Sequence, residues 1–246
     1  MANKWFGWCG RILYVDLGRG SAVSGELPEE LARSYLGQSG SGARLLYEMT
    51  GAGMDPLHPE APLIFGVGPL AGTQAPCSGR FTLSFKSPLT GIFADSNCGG
   101  HFGPELKMAG YDHIVLTGAS ESPVYLWVDN DHVELRDARH LWGLGTSQTD
   151  AAIKQELGES TAQVACIGQA GENRVPLAAV ICNLARAAAR CGPGAVMGSK
   201  NLKALAVRGD RGISLYDPTA FREAVREADE SVLADPLYDQ AKTFGT

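Results

Sequence analysis

The stretch from Ser96 to Gly118 constrains the fold more than any other part of the chain. An apolar strand leads into it, Asn97-Cys98-Gly99-Gly100 forms a glycine-rich loop, a short helix follows from about Phe102, and His113–Thr117 reads as a second strand. Such a loop leaves unpaired backbone N–H groups at a helix start, where an anion can dock. A looser version recurs from Arg186 to Gly209. The pair implies two phosphate-bearing groups, or one ligand with two phosphates, held between related halves.

The order of elements supports that duplication. Leu63–Val67, the Gly68-Pro69-Leu70-Ala71-Gly72-Thr73 loop, the strand Arg80–Lys86 and the Ser96–Gly118 stretch are followed later by a similar series. That series is the strand Gln163–Ile167, the Gly168–Asn173 loop, the strand Pro176–Cys182, a glycine loop with a short helix, and the strand Ala204–Arg208. Gly68 answers Gly168, Pro76 answers Pro176 and Gly118 answers Gly209. Two hairpins stand outside the series: Arg11–Leu17 with Ala22–Glu26, and Val124–Asp129 with His132–Arg136 around Asn130-Asp131. Helices are expected after Pro28, over about 43–49, after a capping box at Ser147–Asp150, and after Asp217-Pro218, the last with Phe221, Val225 and Leu233 inward.

Composition excludes several classes. The 246 residues carry a net charge of −6 with no run of Lys or Arg, which argues against nucleic acid or an anionic membrane as partner. No segment approaches the roughly 20 apolar residues of a spanning helix, and Met1–Arg11 lacks a leader's apolar core, so a cytoplasmic protein is expected. The six cysteines show no C-x-x-C spacing, and the histidines have no ligand spacing, so neither a metal centre nor an iron–sulfur site is complete in this chain.

Three groups of residues are candidates for binding. Asn97–Gly100 lets backbone approach phosphate oxygens, although a lone Gly-Gly is more often a plain turn. In Arg186–Gly194 two arginines four apart, with alanines between them, can present planar paired donors to phosphate, the alternative being an exposed basic helix end. Arg80 follows a flexible turn and starts a strand, from which its guanidinium could reach into a cleft.

At these residues the chain resembles the N-terminal domain of the aldehyde ferredoxin oxidoreductase family, the tungsten–pterin enzymes. The matching text is Gly68-Pro69-Leu70-Ala71-Gly72-Thr73 with Ala75-Pro76, Gly79-Arg80, Lys86-Ser87-Pro88-Leu89-Thr90-Gly91, Asn97-x-Gly-Gly-x-Phe-Gly-x-Glu-Leu-Lys-x-Ala-Gly-Tyr-Asp, Ile167-Gly-x-Ala-Gly-Glu-Asn and Gly194-Ala-Val-Met-Gly-Ser-Lys-Asn-Leu-Lys-Ala. It runs continuously from about Gly10 to Gly209.

The resemblance implies an α+β fold of two related mixed β-sheets with short helices in a pseudo-twofold arrangement, forming a base under a tungsten (or molybdenum) bis-molybdopterin. It implies magnesium between the pterin phosphates, completed by the backbone carbonyls of Asn97 and Ala187, and a phosphate loop of Gly99, Arg186, Ala188, Ala189 and Arg190. Arg80 matches the family's arginine between the proximal pterin and a 4Fe-4S cluster. Cys98 and Cys191 stand where small residues are usual and Ala189 where the family has glycine; the cluster cysteines and acid/base residues would fall beyond position 246. Residues 1–209 are thus expected to be the pterin-binding domain, with 210–246 a linker and the start of a helical domain. The activity implied is oxidation of aldehydes to carboxylic acids, with ferredoxin or another electron-transfer subunit as partner, alongside the remaining domains of the same enzyme and a homodimer mate. The alternatives are a stand-alone non-catalytic pterin-binding or assembly module, and a family member reducing another substrate such as an aromatic thioester.

Overall fold

The computed structural model describes residues 5–245; residues 1–4, part of the stretch read above for a leader, and residue 246 lie outside it. Twelve strands form two six-stranded sheets. The first sheet holds β1 (Arg11–Asp16), β2 (Ser21–Glu26), β3 (Leu63–Val67), β4 (Phe81–Lys86), β5 (Phe93–Cys98) and β6 (His113–Thr117), in the order β2-β1-β6-β3-β4-β5. The second holds β7 (Val124–Asp129), β8 (His132–Asp137), β9 (Gln163–Cys166), β10 (Val180–Cys182), β11 (Arg186–Ala188) and β12 (Leu202–Arg208), in the order β11-β10-β9-β12-β7-β8.

The two sheets are topological copies. A hairpin opens each, its first strand runs parallel to the last strand of the set, and every other neighbour is antiparallel. The repeat is therefore longer than the sequence series suggests, because the β1–β2 and β7–β8 hairpins belong to it. Gly118 and Gly209 each follow the final strand of their half, as the sequence pairing requires.

Helices α1 (Glu29–Tyr35) and α2 (Gln38–Met49) follow the first hairpin, α3 (Phe102–Met108) follows β5, and α4 (Thr146–Leu157) follows the second hairpin. The short α5 (Gln169–Glu172), then α6 (Pro193–Ser199), α7 (Pro218–Leu233) and α8 (Tyr238–Phe244) complete the order. Period-2 alternation sorts the strands' side chains into layers. Leu13, Phe65, Leu83 and Leu116 of the first sheet share a central core with Leu126, Ala165, Val180 and Val207 of the second, and with Phe102, Leu106, Val196 and Met197 of α3 and α6. The opposite faces bury Ile12, Ile64 and Val115 beside Leu45 and Leu46 of α2, and Tyr125, Val164 and Ala206 beside Ile153 of α4. Each such fully buried large side chain contributes about 1.5–3 kcal/mol of transfer free energy.

Local chemistry sets several boundaries. Helix α2 begins five residues before the expected position 43: Gln38-Ser39-Gly40-Ser41-Gly42 looks like loop, yet a Cβ on Gly42 would stand 2.2 Å from Ser84 Oγ, so small residues are what let this turn lie on β4. Helix α4 starts at Thr146, with Gln148 Oε1 accepting the Gly145 N–H at 3.0 Å and left-handed Gly158 ending it. Asp217 caps α7 by accepting from the N–H groups of Thr219 and Ala220 at 3.0 Å each. Phe221 and Val225 of that helix are half-buried, whereas Leu233 is exposed. Among the described residues no helix is long and apolar enough to cross a membrane.

Candidate functional site

The equivalent ends of β5 and β11 place the candidate residues. Asn97 is the penultimate residue of β5 and pairs with Thr82, the second residue of β4; Ala187 is the penultimate residue of β11 and pairs with Ile181, the second of β10. They occupy the same topological position in the two halves. Gly99 follows the first strand, and Ala189 and Arg190 follow the second.

Around Asn97 the side chains are held. Its Oδ1 accepts from the Arg80 guanidinium at 2.8 Å and its Nδ2 donates to Thr82 Oγ1 at 3.0 Å. The Arg80 carbonyl accepts from Gln38 Nε2 at 2.7 Å. Helix α3 is pressed onto this turn: Phe102 packs its ring 4.9 Å from Phe81 and 5.8 Å from Phe65, and a Cβ on Gly103 would come within 3.2 Å of the Arg80 and Gly79 backbone. Arg80 and Asn97, distinct candidates in sequence, therefore form one hydrogen-bonded unit.

The second half brings Arg186, Ala187, Ala189 and Arg190 to the surface, all exposed, while Ala188 is buried. Arg186 lies on β11 and Arg190 in the bend beyond it, so the helical spacing of four read from sequence is not what presents them. Neither guanidinium has an ion-pair or hydrogen-bond partner among the described residues. The two halves touch here. Ser96 Oγ accepts the Arg190 N–H at 3.1 Å, and Cys98 Sγ lies 3.5 Å from Cys182 Sγ. The hydrogen bond from Cys182, with Arg80 and Arg186 nearby, lowers the Cys98 pKa against the opposing effect of burial.

The loop amides differ from expectation. The His101 N–H at the start of α3 is taken by Asn183 Oδ1 at 2.8 Å, and the Gly194 N–H of α6 by the Ala178 carbonyl at 2.9 Å. What stays open is the space at Gly99, where an added Cβ would meet nothing within 4 Å, and the two unpaired arginines. An oxyanion ligand fits that combination: unneutralised planar donors beside small residues. Among the described residues no three His, Cys, Asp or Glu side chains converge to hold a metal ion.

Sequence reasoning missed three structural participants. Asn183 joins the two loops. Glu172 accepts the Gly143 N–H at 2.9 Å and pairs with buried Lys203. Lys107, also fully buried, contacts Asp112 at 2.5 Å, and that carboxylate accepts the Gly10 N–H at 2.8 Å.

The fold defines the class first: a duplicated α+β domain of two mixed sheets that meet through equivalent strands. The family model described as aldehyde ferredoxin oxidoreductase, N-terminal domain, matches residues 12–209, and the chain belongs to that family. It is 47% identical over 232 residues to the tungsten-containing aldehyde ferredoxin oxidoreductase of Pyrococcus abyssi and 48% to that of Thermococcus kodakarensis, covering 94% of this chain and 38% of each relative. The aliphatic sulfonate oxidoreductase WOR-like subunit of Pyrococcus furiosus is 34% identical over 90% of this chain and 38% of its own. Among solved structures, the active-site complex BamBC of benzoyl coenzyme A reductase, in complex with 1,5-dienoyl-CoA, superposes with a TM-score of 0.91 at 41% identity, covering 92% of this chain and 35% of that one. The chain thus spans well under half the length of the relatives it matches.

Proposed function

We propose that this chain is the cofactor base of a tungsten oxidoreductase that oxidises aldehydes to carboxylic acids, its two halves holding the two pterin phosphates. The observation that carries the reading is the symmetry of Asn97 and Ala187, flanked by the unpaired guanidiniums of Arg186 and Arg190. Bound there, a tungsten–bis-pterin would supply the redox chemistry, and the protein would supply binding, orientation and charge. Arg186 and Arg190 would pair with phosphate oxygens, while Gly99, Ala188 and Ala189 would contribute backbone and clearance. The carbonyls of Asn97 and Ala187 are hard oxygen donors of the kind magnesium takes together with phosphates. Arg80, fixed by Asn97, would stand against the pterin on its side, toward a 4Fe-4S cluster whose ligands would come from outside these residues. Residues 210–246 would begin a following helical region, and ferredoxin or another electron-transfer subunit would take the electrons in the cytoplasm.

The test is metal and pterin analysis of the full-length gene product made in a host that inserts tungsten. Tungsten and pterin should copurify, and Arg186→Ala with Arg190→Ala should lower pterin content several-fold; unchanged content would remove these arginines from the phosphate role. The likeness to benzoyl coenzyme A reductase supports a second reading, reduction of an aromatic thioester. Assaying the same preparation with an aldehyde and with an aromatic acyl thioester separates the two.

A further inference from the structure

We propose that Asn183 is a positioning residue that sets the glycine loop of the first half against the cationic strand end of the second. The inference rests on the phosphate-cradle reading and adds to it a residue none of the motifs contains. Asn183 opens the turn between β10 and β11, and its side chain reaches across to the other half. Its Oδ1 accepts the His101 N–H at 2.8 Å, while its Nδ2 donates to Gln163 Oε1 on β9. The amide is therefore oriented from both ends: Gln163 fixes the nitrogen side, leaving the oxygen toward α3.

Sterics make the fit specific. A Cβ on Gly100, which has φ +103°, would stand 2.5 Å from Asn183 Oδ1 and 3.2 Å from Arg186 Cγ. The glycine thus admits the Asn183 carbonyl and the Arg186 stem at one point of the loop. The turn itself is strained. Asn183 has φ 47° and Leu184 φ 64°, and the left-handed region is unfavourable for a leucine because its Cβ crowds the following carbonyl. Cys77 and Cys191, beside the other candidate segments, are also left-handed. Strain of this kind persists where surroundings over-determine the backbone, and at this turn the Asn183 side chain is held by both His101 and Gln163.

An asparagine that merely tolerates a left-handed turn would give the same backbone, so the test separates the side chain from the conformation. Asn183→Gly retains the left-handed geometry and deletes the amide; Gln163→Ala leaves Asn183 in place and removes its anchor. Both are made in the full-length enzyme from the tungsten-inserting host, and hydrogen exchange of the peptide containing His101, pterin per protein and the urea unfolding midpoint are read. Asn183→Gly should speed exchange of the His101 amide about tenfold and lower pterin content at least several-fold with little change in midpoint, and Gln163→Ala should shift both in the same direction by less. Unchanged exchange in Asn183→Gly overturns the hydrogen bond. Faster exchange with full pterin content overturns the positioning role. Should Arg186→Ala with Arg190→Ala retain pterin while Asn183→Gly loses it, the arginine reading fails and the positioning role stands.

Discussion

Ser96, on edge strand β5 of one half, accepts through its hydroxyl the backbone N–H of Arg190 in the other, at 3.1 Å. Because Ser96 is buried, its loss strands a donor at the seam between the sheets. Ser96→Ala should cost about 1 kcal/mol, read as a lower urea midpoint with an unchanged slope. A midpoint equal to that of the parent would show that the seam does not depend on this bond.

Lys203 and Glu172 are buried partners drawn from β12 and α5, with Leu144 and Gly143 backbone groups completing their hydrogen bonds. Removing one partner leaves an uncompensated charge in the interior, at a cost of about 3–5 kcal/mol. Lys203→Met should therefore destabilise strongly, and adding Glu172→Gln should recover a large part of the loss. A double-mutant cycle by denaturant titration measures this; strictly additive losses would contradict the coupling.

His113 is buried on the outer face of the first sheet, and neither ring nitrogen has a hydrogen-bond partner. Burial lowers its pKa from 6.5 to about 4. The native state therefore resists the proton that the unfolded state accepts, so stability from this group is intact above pH 6.5 and is lost as pH falls toward 4. The loss amounts to about 3 kcal/mol. His113→Phe should flatten the stability profile between pH 6.5 and 4 relative to the parent, and parallel profiles would count against it.

Gly198 of α6 meets Gly171 of α5 so closely that a Cβ would stand 1.9 Å from the Gly171 carbonyl oxygen. Gly198→Ala must push the two helices apart and should cost about 3 kcal/mol. Gly53→Ala, with nothing within 4 Å, should stay within about 0.5 kcal/mol. Thermal unfolding of the pair gives the comparison.

What the sequence made legible follows from local signals. The first hairpin and β4 show alternation bounded by turn residues, β3 is legible as a short continuous apolar run, Asn130-Asp131 marks the second hairpin, and the register of Gly118 with Gly209 is visible because each ends a strand. Strand β5 runs on through Asn97 and Cys98, where the sequence reads loop, because Phe93, Asp95 and Asn97 face outward on an edge strand and dilute its apolar pattern. Arg186 and Arg190 read as a pair at helical spacing because a three-residue strand has too few positions to show alternation. Asn183 carried no signal at all: an asparagine in a turn is ordinary, and its partners His101 and Gln163 are distant in the chain. Arg80 and Asn97 were legible as separate residues, whereas their hydrogen bond required the β4–β5 pairing.

The parallel pairing that closes each sheet also dictates the order in which the molecule can assemble. Ile12 meets His113 across about 100 residues and Val124 meets Leu202 across about 80, separations that make ring closure slow relative to the hairpins. A chain emerging from the ribosome can form β1–β2 at once, yet that ribbon waits for β6 before it is joined to the rest of its sheet, and β7–β8 waits likewise for β12. The seam held by Ser96, Cys98 and Asn183 joins residues 82 to 94 apart in the chain, so loop closure places it after the hairpins as well. Ligand recruitment at that seam would be a late event of biosynthesis, acting on a chain whose two halves are already closed.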